Sequence, residues 1–283
     1  MKSISLDAHA KINLSLDVIG KRQDGYHEVR MIMQTITLHD KVILETRDTG
    51  IEVGCDKPWV PGGNDNIAYK AANLIMEKYK VTSGVSIKIL KRIPVAAGLA
   101  GGSADAAAVI KGMNELFDLN LNEDELMDIG KQIGADVPFC IRGGTMLSEG
   151  IGEKLTKISS FQGVDIVLVK PKVGVSTAWV YNNLKLDKIS LRPDTDFLIN
   201  AISKKDIGSL AQNMRNVLET VTIEKYGVIN DIKNELRRLG ALGSMMSGSG
   251  PSVFGIFEDS EKAHRAYESL KDGKWECFVT QTL

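Results

Sequence analysis

The string IPVAAGLAGGSADAAA at residues 93–108 joins a β-like run to a strong helix through glycines and alanines. Side chains this small cannot obstruct a ligand, so successive backbone N–H groups and the helix N-terminus converge on one volume that suits phosphate. The spacing also admits a plainer reading, a tight strand-to-helix turn whose glycines allow positive φ. A second small-residue string, MSGSGPSVFG at 246–255, stands in the other half of the chain. Alone it reads as a loop before a buried strand; paired with the first, it would bring backbone close to a ligand from two sides of a cleft.

Asp136 lies between Gly134 and Pro138, flanked by Ala135, Val137 and Phe139. Such an acid is either a cap or ion-pair partner, or a carboxylate general base, and a base needs a nearby cation and a substrate hydroxyl. Lys11 is the candidate cation. The turn Asp24-Gly25-Tyr26-His27 presents an aromatic ring beside a hydrogen-bonding ring, where a planar base would stack and bond. His9, His27, His39 and His264 show no metal-ligand spacing, and Cys55, Cys140 and Cys277 form no C-x-x-C, so neither a zinc site nor a disulfide framework is expected. The common phosphate loop G-x-x-x-x-G-K-[ST], the dinucleotide G-x-G-x-x-G, the G-x-S-x-G elbow and the H-E-x-x-H helix are all absent. A nucleoside triphosphate would have to be held by another loop design.

The elements that must position these residues can be read from periodicity. Ile12, Leu14, Leu16 and Val18 alternate with Lys11, Asn13, Ser15 and Asp17, which predicts a half-buried strand with Lys11 and Asn13 on its polar face. Further strands are expected at 31–38, 41–46, 85–91, 164–169, in VFGIF and near 275–281. Helices are expected at 66–79, at 103–117 with Ser103 as N-cap, and at 122–134 with an Asn122–Glu125 capping box and a stop at Gly134. Others are predicted at 177–184, 194–202 and 223–239, and after a Ser260 cap. No fixed-period repeat is present. The fold class is α+β in two lobes, 1–155 and 156–283.

The 283 residues carry 35 Lys plus Arg against 36 Asp plus Glu, a net charge of −1, which removes the electrostatic case for a nucleic-acid or anionic-membrane binder. With 43% hydrophobic and 25% charged residues the chain is of ordinary globular composition, and disorder is excluded for most of it. The N-terminal stretch has no continuous apolar core of a signal peptide and no run approaches a membrane span, so a cytoplasmic location is expected.

Taken together, HAKINLSLDVIGKRQDGYHEV, IPVAAGLAGGSADAAA, GADVPFC, EGIGEKL and MSGSGPSVFGIF resemble, in order and approximate spacing, the superfamily of galactokinase, homoserine kinase, mevalonate kinase and phosphomevalonate kinase. Within it, GKRQDGYH and GADVPF are similar to the 4-diphosphocytidyl-2-C-methyl-D-erythritol kinases. The resemblance covers nearly the whole chain and is weakest across 185–240. It implies a two-lobed small-molecule kinase fold, with an N-terminal lobe like the second domain of ribosomal protein S5 and a C-terminal ferredoxin-like lobe. It also implies transfer of the ATP γ-phosphoryl to the 2-hydroxyl of the methylerythritol unit, in the non-mevalonate route to isoprenoid precursors.

Carried over by motif, Asp136 is the base and Lys11 holds it ionised and offsets charge on the reacting oxygens, while Asn13 positions substrate. Pro94, Ala96, Ala97, Gly98, Leu99, Ala100, Gly101, Gly102 and Ser103 would wrap the ATP phosphates. Tyr26 and His27 match the family's cytosine pocket, and Tyr181 in VSTAWVY stands where a second stacking ring belongs. Gly248, Ser249 and Gly250 would approach the substrate diphosphate or its glycerol-like portion. Magnesium is implied by ATP chemistry, with no ligands assigned.

Three departures from the pattern stand out. His9 replaces a common proline, Ala100 replaces a glycine, and Ala104 replaces a hydroxyl residue, so the Ala104 side chain offers no magnesium ligand. The expected partner is a small molecule with a cytidine diphosphate group, with no nucleic acid and no membrane, on a monomer or homodimer. Two rivals are another small-alcohol kinase, which would not need the DGYH turn or Tyr181, and a non-catalytic RNA-binding module, which would not need Lys11 and Asp136.

Overall fold

The structure, a computed structural model, describes residues 2–271 and 273–283. The chain forms two compact units that are discontinuous in sequence: unit 1 holds the residues up to Ala10, Leu38–Val95 and Ala100–Gly143, and unit 2 holds Lys11–Thr37, Ala96–Leu99 and Gly144–Leu283. Two long strands, β1 (Ser3–Lys21) and β2 (His27–Arg47), pair with one another and contribute residues to both. The two strands expected at 31–38 and 41–46 are thus one.

β1 differs from its predicted half-buried form. Every residue from Ala10 to Val18 is buried, on both faces. Its polar residues must therefore find partners inside the protein. Ser15 Oγ accepts from Ile32 N at 3.1 Å, and Asp17 pairs with Arg192 at 2.5 Å.

In unit 1, β3 (Ile51–Cys55) precedes α1 (Ile67–Tyr79) and runs parallel to β4 (Gly84–Leu90), which pairs antiparallel with Lys41–Arg47 of β2. α2 (Gly101–Leu116) packs on α1, on α3 (Glu123–Ile133) and on α4 (Val137–Arg142). The Asn122–Glu125 capping box forms as expected. Ser103 is not the N-cap of α2: the helix begins two residues earlier, after Ala100, whose left-handed backbone (φ 55°) redirects the chain without any side-chain cap.

In unit 2, β5 (Thr145–Gly150) pairs antiparallel with Val29–Gln34 of β2, and β6 (Lys154–Lys157) with β5, in a glycine-punctuated segment where sequence predicts no strands. After β7 (Asp165–Lys170) come α5 (Thr177–Asn183), α6 (Thr195–Ser203), α7 (Ile207–Asn213), α8 (Glu219–Lys225) and α9 (Val228–Arg238). The helix expected over 223–239 is therefore two, broken at Tyr226-Gly227. β8 (Gly243–Met246), a strand the sequence does not predict, ends at the first residue of the second small-residue string and is followed by β9 (Val253–Ile256), α10 (Ser260–Leu270) and β10 (Glu276–Gln281). Asp259, not Ser260, caps α10, accepting from Lys262 N at 2.8 Å.

β7 to β10 form an antiparallel sheet in the order β10-β7-β9-β8, the ferredoxin-like arrangement, with five short helices in place of its first one. Among the described residues no helix is long and apolar enough to cross a membrane.

Unit 1 also buries a charge cluster beside the start of α2. Lys91 Nζ bridges Asp40 and Asp105, the latter at 2.8 Å, and all three side chains are almost fully buried. Asp40 additionally accepts from the backbone N–H groups of Arg92 and Ile93. Burial would lower the Lys91 pKa, but the Asp105 and Asp40 carboxylates override it and hold the ammonium above its ordinary value. Asp105 is pushed up to about 7 by burial, against the pull of Lys91. A carboxyl with a folded pKa above its unfolded value of roughly 3.9 stabilises the fold below that value, and the contribution is lost as pH rises towards 7. Asp105→Asn mimics the protonated form, so the melting temperature of the wild type relative to this variant should fall by at least about 2 °C between pH 5 and pH 7.5. A constant difference across that range, measured by thermal unfolding, would show that Asp105 does not titrate there.

Candidate functional site

The two small-residue loops begin with a backbone contact inside unit 2. A Cβ on Gly98 would lie 2.1 Å from Ser247 O and 3.1 Å from both Gly250 N and Gly250 O, so only glycine permits this approach. The carbonyls of residues 97, 98 and 99 are tied down: Ser252 N donates to Ala97 O (3.3 Å), Ser247 Oγ to Gly98 O (2.9 Å) and Lys11 N to Leu99 O (3.1 Å). Ala96, Gly98 and Ala100 all have positive φ (51°, 75° and 55°), so every second residue of the loop is left-handed. Alternation of this kind turns consecutive N–H groups towards one concave side, a nest for an anion. In unit 1 the chain continues into α2, whose first N–H groups have no intrahelical acceptor. Gly101, Gly102 and Ser103 form that first turn, and Pro94 stands two residues before the loop.

Lys11 and Asn13 share a face of β1, as their spacing predicts, and they touch. Lys11 Nζ donates to Asn13 Oδ1 at 2.8 Å, and the same oxygen accepts from Gly248 N at 3.0 Å. Lys11 is only 5% exposed, and among the described residues of its unit no carboxylate pairs with it. A buried ammonium with only a neutral acceptor is under-compensated, and a phosphate oxygen would complete it.

His27 and Tyr181, 154 residues apart, are brought together with ring centroids 5.2 Å apart and planes 38° from parallel. Tyr26, on the turn where Arg22 N donates to Tyr26 O at 2.8 Å, is 60% exposed. Burial, aided by Lys21, holds the His27 pKa below its ordinary value. A neutral imidazole offers one donor and one acceptor, the complement of a base edge.

Several residues here escape sequence reasoning. Thr177, one helical turn before Tyr181, shares a 2.8 Å hydrogen bond with Ser249, tying α5 to the second loop. Lys225 Nζ sits 3.9 Å from the centre of the Trp179 ring. Arg192 donates to Asp17 and to Val18 O, anchoring the chain after α5 to β1. Only the i, i+4 spacing of Thr177 and Tyr181 carries a local signal.

In unit 1, Asp136 is half-buried and immediately precedes α4, yet its carboxylate neither caps that helix nor stands in an ion pair among the described residues. The plainer reading of this acid as a cap is thereby removed. Among the described residues no group of three or more His, Cys, Asp or Glu side chains could hold a metal ion. Magnesium that travels with nucleotide phosphates takes most of its ligands from phosphate and water and asks the protein for one or two carboxylates, so the residues present are compatible with it.

Residues 66–144 match the GHMP kinases N terminal domain and 198–275 the GHMP kinases C terminal model. A 4-diphosphocytidyl-2-C-methyl-D-erythritol kinase from Acetivibrio thermocellus is 81% identical over 283 residues, the whole of both chains. A protein of the same name from Clostridium botulinum strain Langeland is 55% identical over 276 residues, 98% of this chain and 99% of that one. The crystal structure of a 4-(cytidine 5'-diphospho)-2C-methyl-D-erythritol kinase superposes with a TM-score of 0.86 at 30% identity, covering 99% of each chain. With both kinase domains matched and whole-length identity this high, the chain belongs to the GHMP kinases and, within them, to the 4-diphosphocytidyl-2-C-methyl-D-erythritol kinase family.

Proposed function

We propose that the chain transfers the γ-phosphoryl group of ATP to the 2-hydroxyl of 4-diphosphocytidyl-2-C-methyl-D-erythritol. The observation that carries this reading is the 81% identity, without gaps in coverage, to a kinase of that name. The left-handed alternation of residues 96–100 and the under-compensated Lys11 support it, because both suit a polyphosphate.

In this reading Pro94 and Ala96–Ser103 wrap the ATP phosphates, and the start of α2 adds about half a positive charge. Asp136 takes the proton of the attacking hydroxyl, and its carboxylate is free of the cap bond that would compete with that role. Lys11 stabilises the negative charge of the transferring group, and Asn13 orients substrate. Tyr26 stacks on the cytosine, His27 hydrogen-bonds its edge and Tyr181 completes the pocket. Gly248, Ser249 and Gly250 present backbone to the diphosphate portion. Positioning and electrostatics then supply most of the catalysis. Magnesium would accompany ATP and neutralise phosphate charge. The lobes of this reading meet in sequence near residue 155, between the two matched stretches. We place the reaction in the cytoplasm, where ATP is available.

ADP release measured in parallel with the cytidyl substrate, mevalonate and homoserine tests the assignment; turnover with only the latter two would make the chain a different small-alcohol kinase. Asp136→Asn is expected to lower kcat by about a hundredfold or more with little change in KM, the usual scale for a lost general base. Near-normal turnover would leave Asp136 a structural residue. Tyr26→Ala should raise KM for the cytidyl substrate and leave that for ATP unchanged, whereas equal weakening of both would remove Tyr26 from the cytosine pocket.

A further inference from the structure

Besides Asn13, the second loop is gripped by a residue that no motif marks. Asn216 is 4% exposed, and its Nδ2 donates to Met246 O at 2.9 Å and to Gly248 O at 2.8 Å. Its Oδ1 accepts from Leu218 N at 3.0 Å, which fixes the amide orientation and leaves both donors aimed at the loop. The backbone around it is locked to β1, where Leu16 N donates to Arg215 O and Val217 N to Leu16 O, each at 3.0 Å. Glu219, one turn on, accepts from Met246 N at 2.8 Å and pairs with Lys233 at 2.5 Å. The peptides of residues 246–248 are thus held by side chains from a single short segment.

What that grip controls follows from the next bonds. Gly248 N–H and Lys11 Nζ share one acceptor, Asn13 Oδ1. Among the described residues the Asn13 Nδ2 donates only to the Met31 sulfur, a weak acceptor, at 3.2 Å. The Asn13 amide is therefore oriented mainly by the two donors at its oxygen. If the Gly248 peptide rotates, Asn13 loses one of them, and the ammonium loses its fixed hydrogen-bond partner.

We infer that Asn216 is a positioning residue for phosphoryl transfer: by holding the Met246 and Gly248 carbonyls it aims the Gly248 N–H at Asn13 and so fixes the Lys11 ammonium. This role rests on the kinase reading above. Asn216 acts through Gly248 and Asn13 and needs no contact with substrate.

A double-mutant cycle tests it. Asn216→Asp keeps the acceptor for Leu218 N but turns the donors into an oxygen facing two carbonyls. ADP release is measured on the full chain for Asn216→Asp, for Lys11→Met and for the pair, normalised to the folded fraction by circular dichroism. In the wild-type background kcat should fall by about tenfold or more, and in the Lys11→Met background by less than about twofold, because the ammonium that Asn216 positions is already gone. An equal loss in both backgrounds, or an unchanged kcat, would overturn the role and leave Asn216 as a residue of stability alone. Should Asn216→Asp not fold, Asn216→Ser, which retains a hydroxyl for one carbonyl, goes through the same cycle with the same expectations. A wild-type chain that releases no ADP with the cytidyl substrate would overturn the kinase reading itself and this role with it.

Discussion

The approach of Gly98 to Ser247 is the constraint on which unit 2 depends. Where a Cβ would come within 2.1 Å of a carbonyl oxygen, no side chain is tolerated, and the Gly98 backbone lies directly against the second loop. That contact allows the three carbonyl bonds from Ser252 N, Ser247 Oγ and Lys11 N to form together. Through Lys11 N the loop is registered to β1, and through Gly248 N the second loop is registered to Asn13 on the same strand. In a chain of net charge −1, backbone amides turned to one side offer an anion a favourable field without a basic surface.

The same arrangement carries strain. Ala96 and Ala100 hold left-handed conformations that are unfavourable for a residue with a Cβ by about 1–2 kcal/mol each. Conformations like these persist where the surroundings over-determine them, and such places cluster at functional sites. Here the tethered carbonyls over-determine the loop. The sequence-level view of these alanines as merely unobstructive therefore understates them, since glycine would relax both positions.

Local signals in the sequence were legible and distant ones were not. The Asn122–Glu125 box was readable because both partners lie within one turn. Lys11 and Asn13 share a face, as their spacing predicts, because strand alternation is a property of the backbone alone. Their burial was not readable: β1 is covered on both faces, and its polar side is satisfied by Ile32 N and Arg192, far away in sequence. Ser103 failed as a cap because the left-handed turn at Ala100 already starts α2, a choice made by loop geometry against side-chain preference. His27 with Tyr181, Thr177 with Ser249 and Asn216 with Gly248 are contacts between residues 154, 72 and 32 positions apart, and no periodicity encodes them. The first pair follows from the family resemblance, and the other two are set by the tertiary fold alone.

The two buried lysines show how the fold separates structure from chemistry. Lys91 faces two carboxyl groups, so its charge is balanced inside unit 1, where it holds the approach to α2 in place. Lys11 is buried to the same degree but faces an amide oxygen, which orients an ammonium without neutralising it. An ammonium balanced by carboxylates gains little from an arriving phosphate, whereas one balanced only by a dipole gains much, because the phosphate replaces solvation that burial removed. Pairing Lys11 with an amide therefore leaves its charge less neutralised than that of Lys91. It also makes the direction of that charge depend on whatever orients the amide, which is why the backbone at Gly248 matters to the lysine.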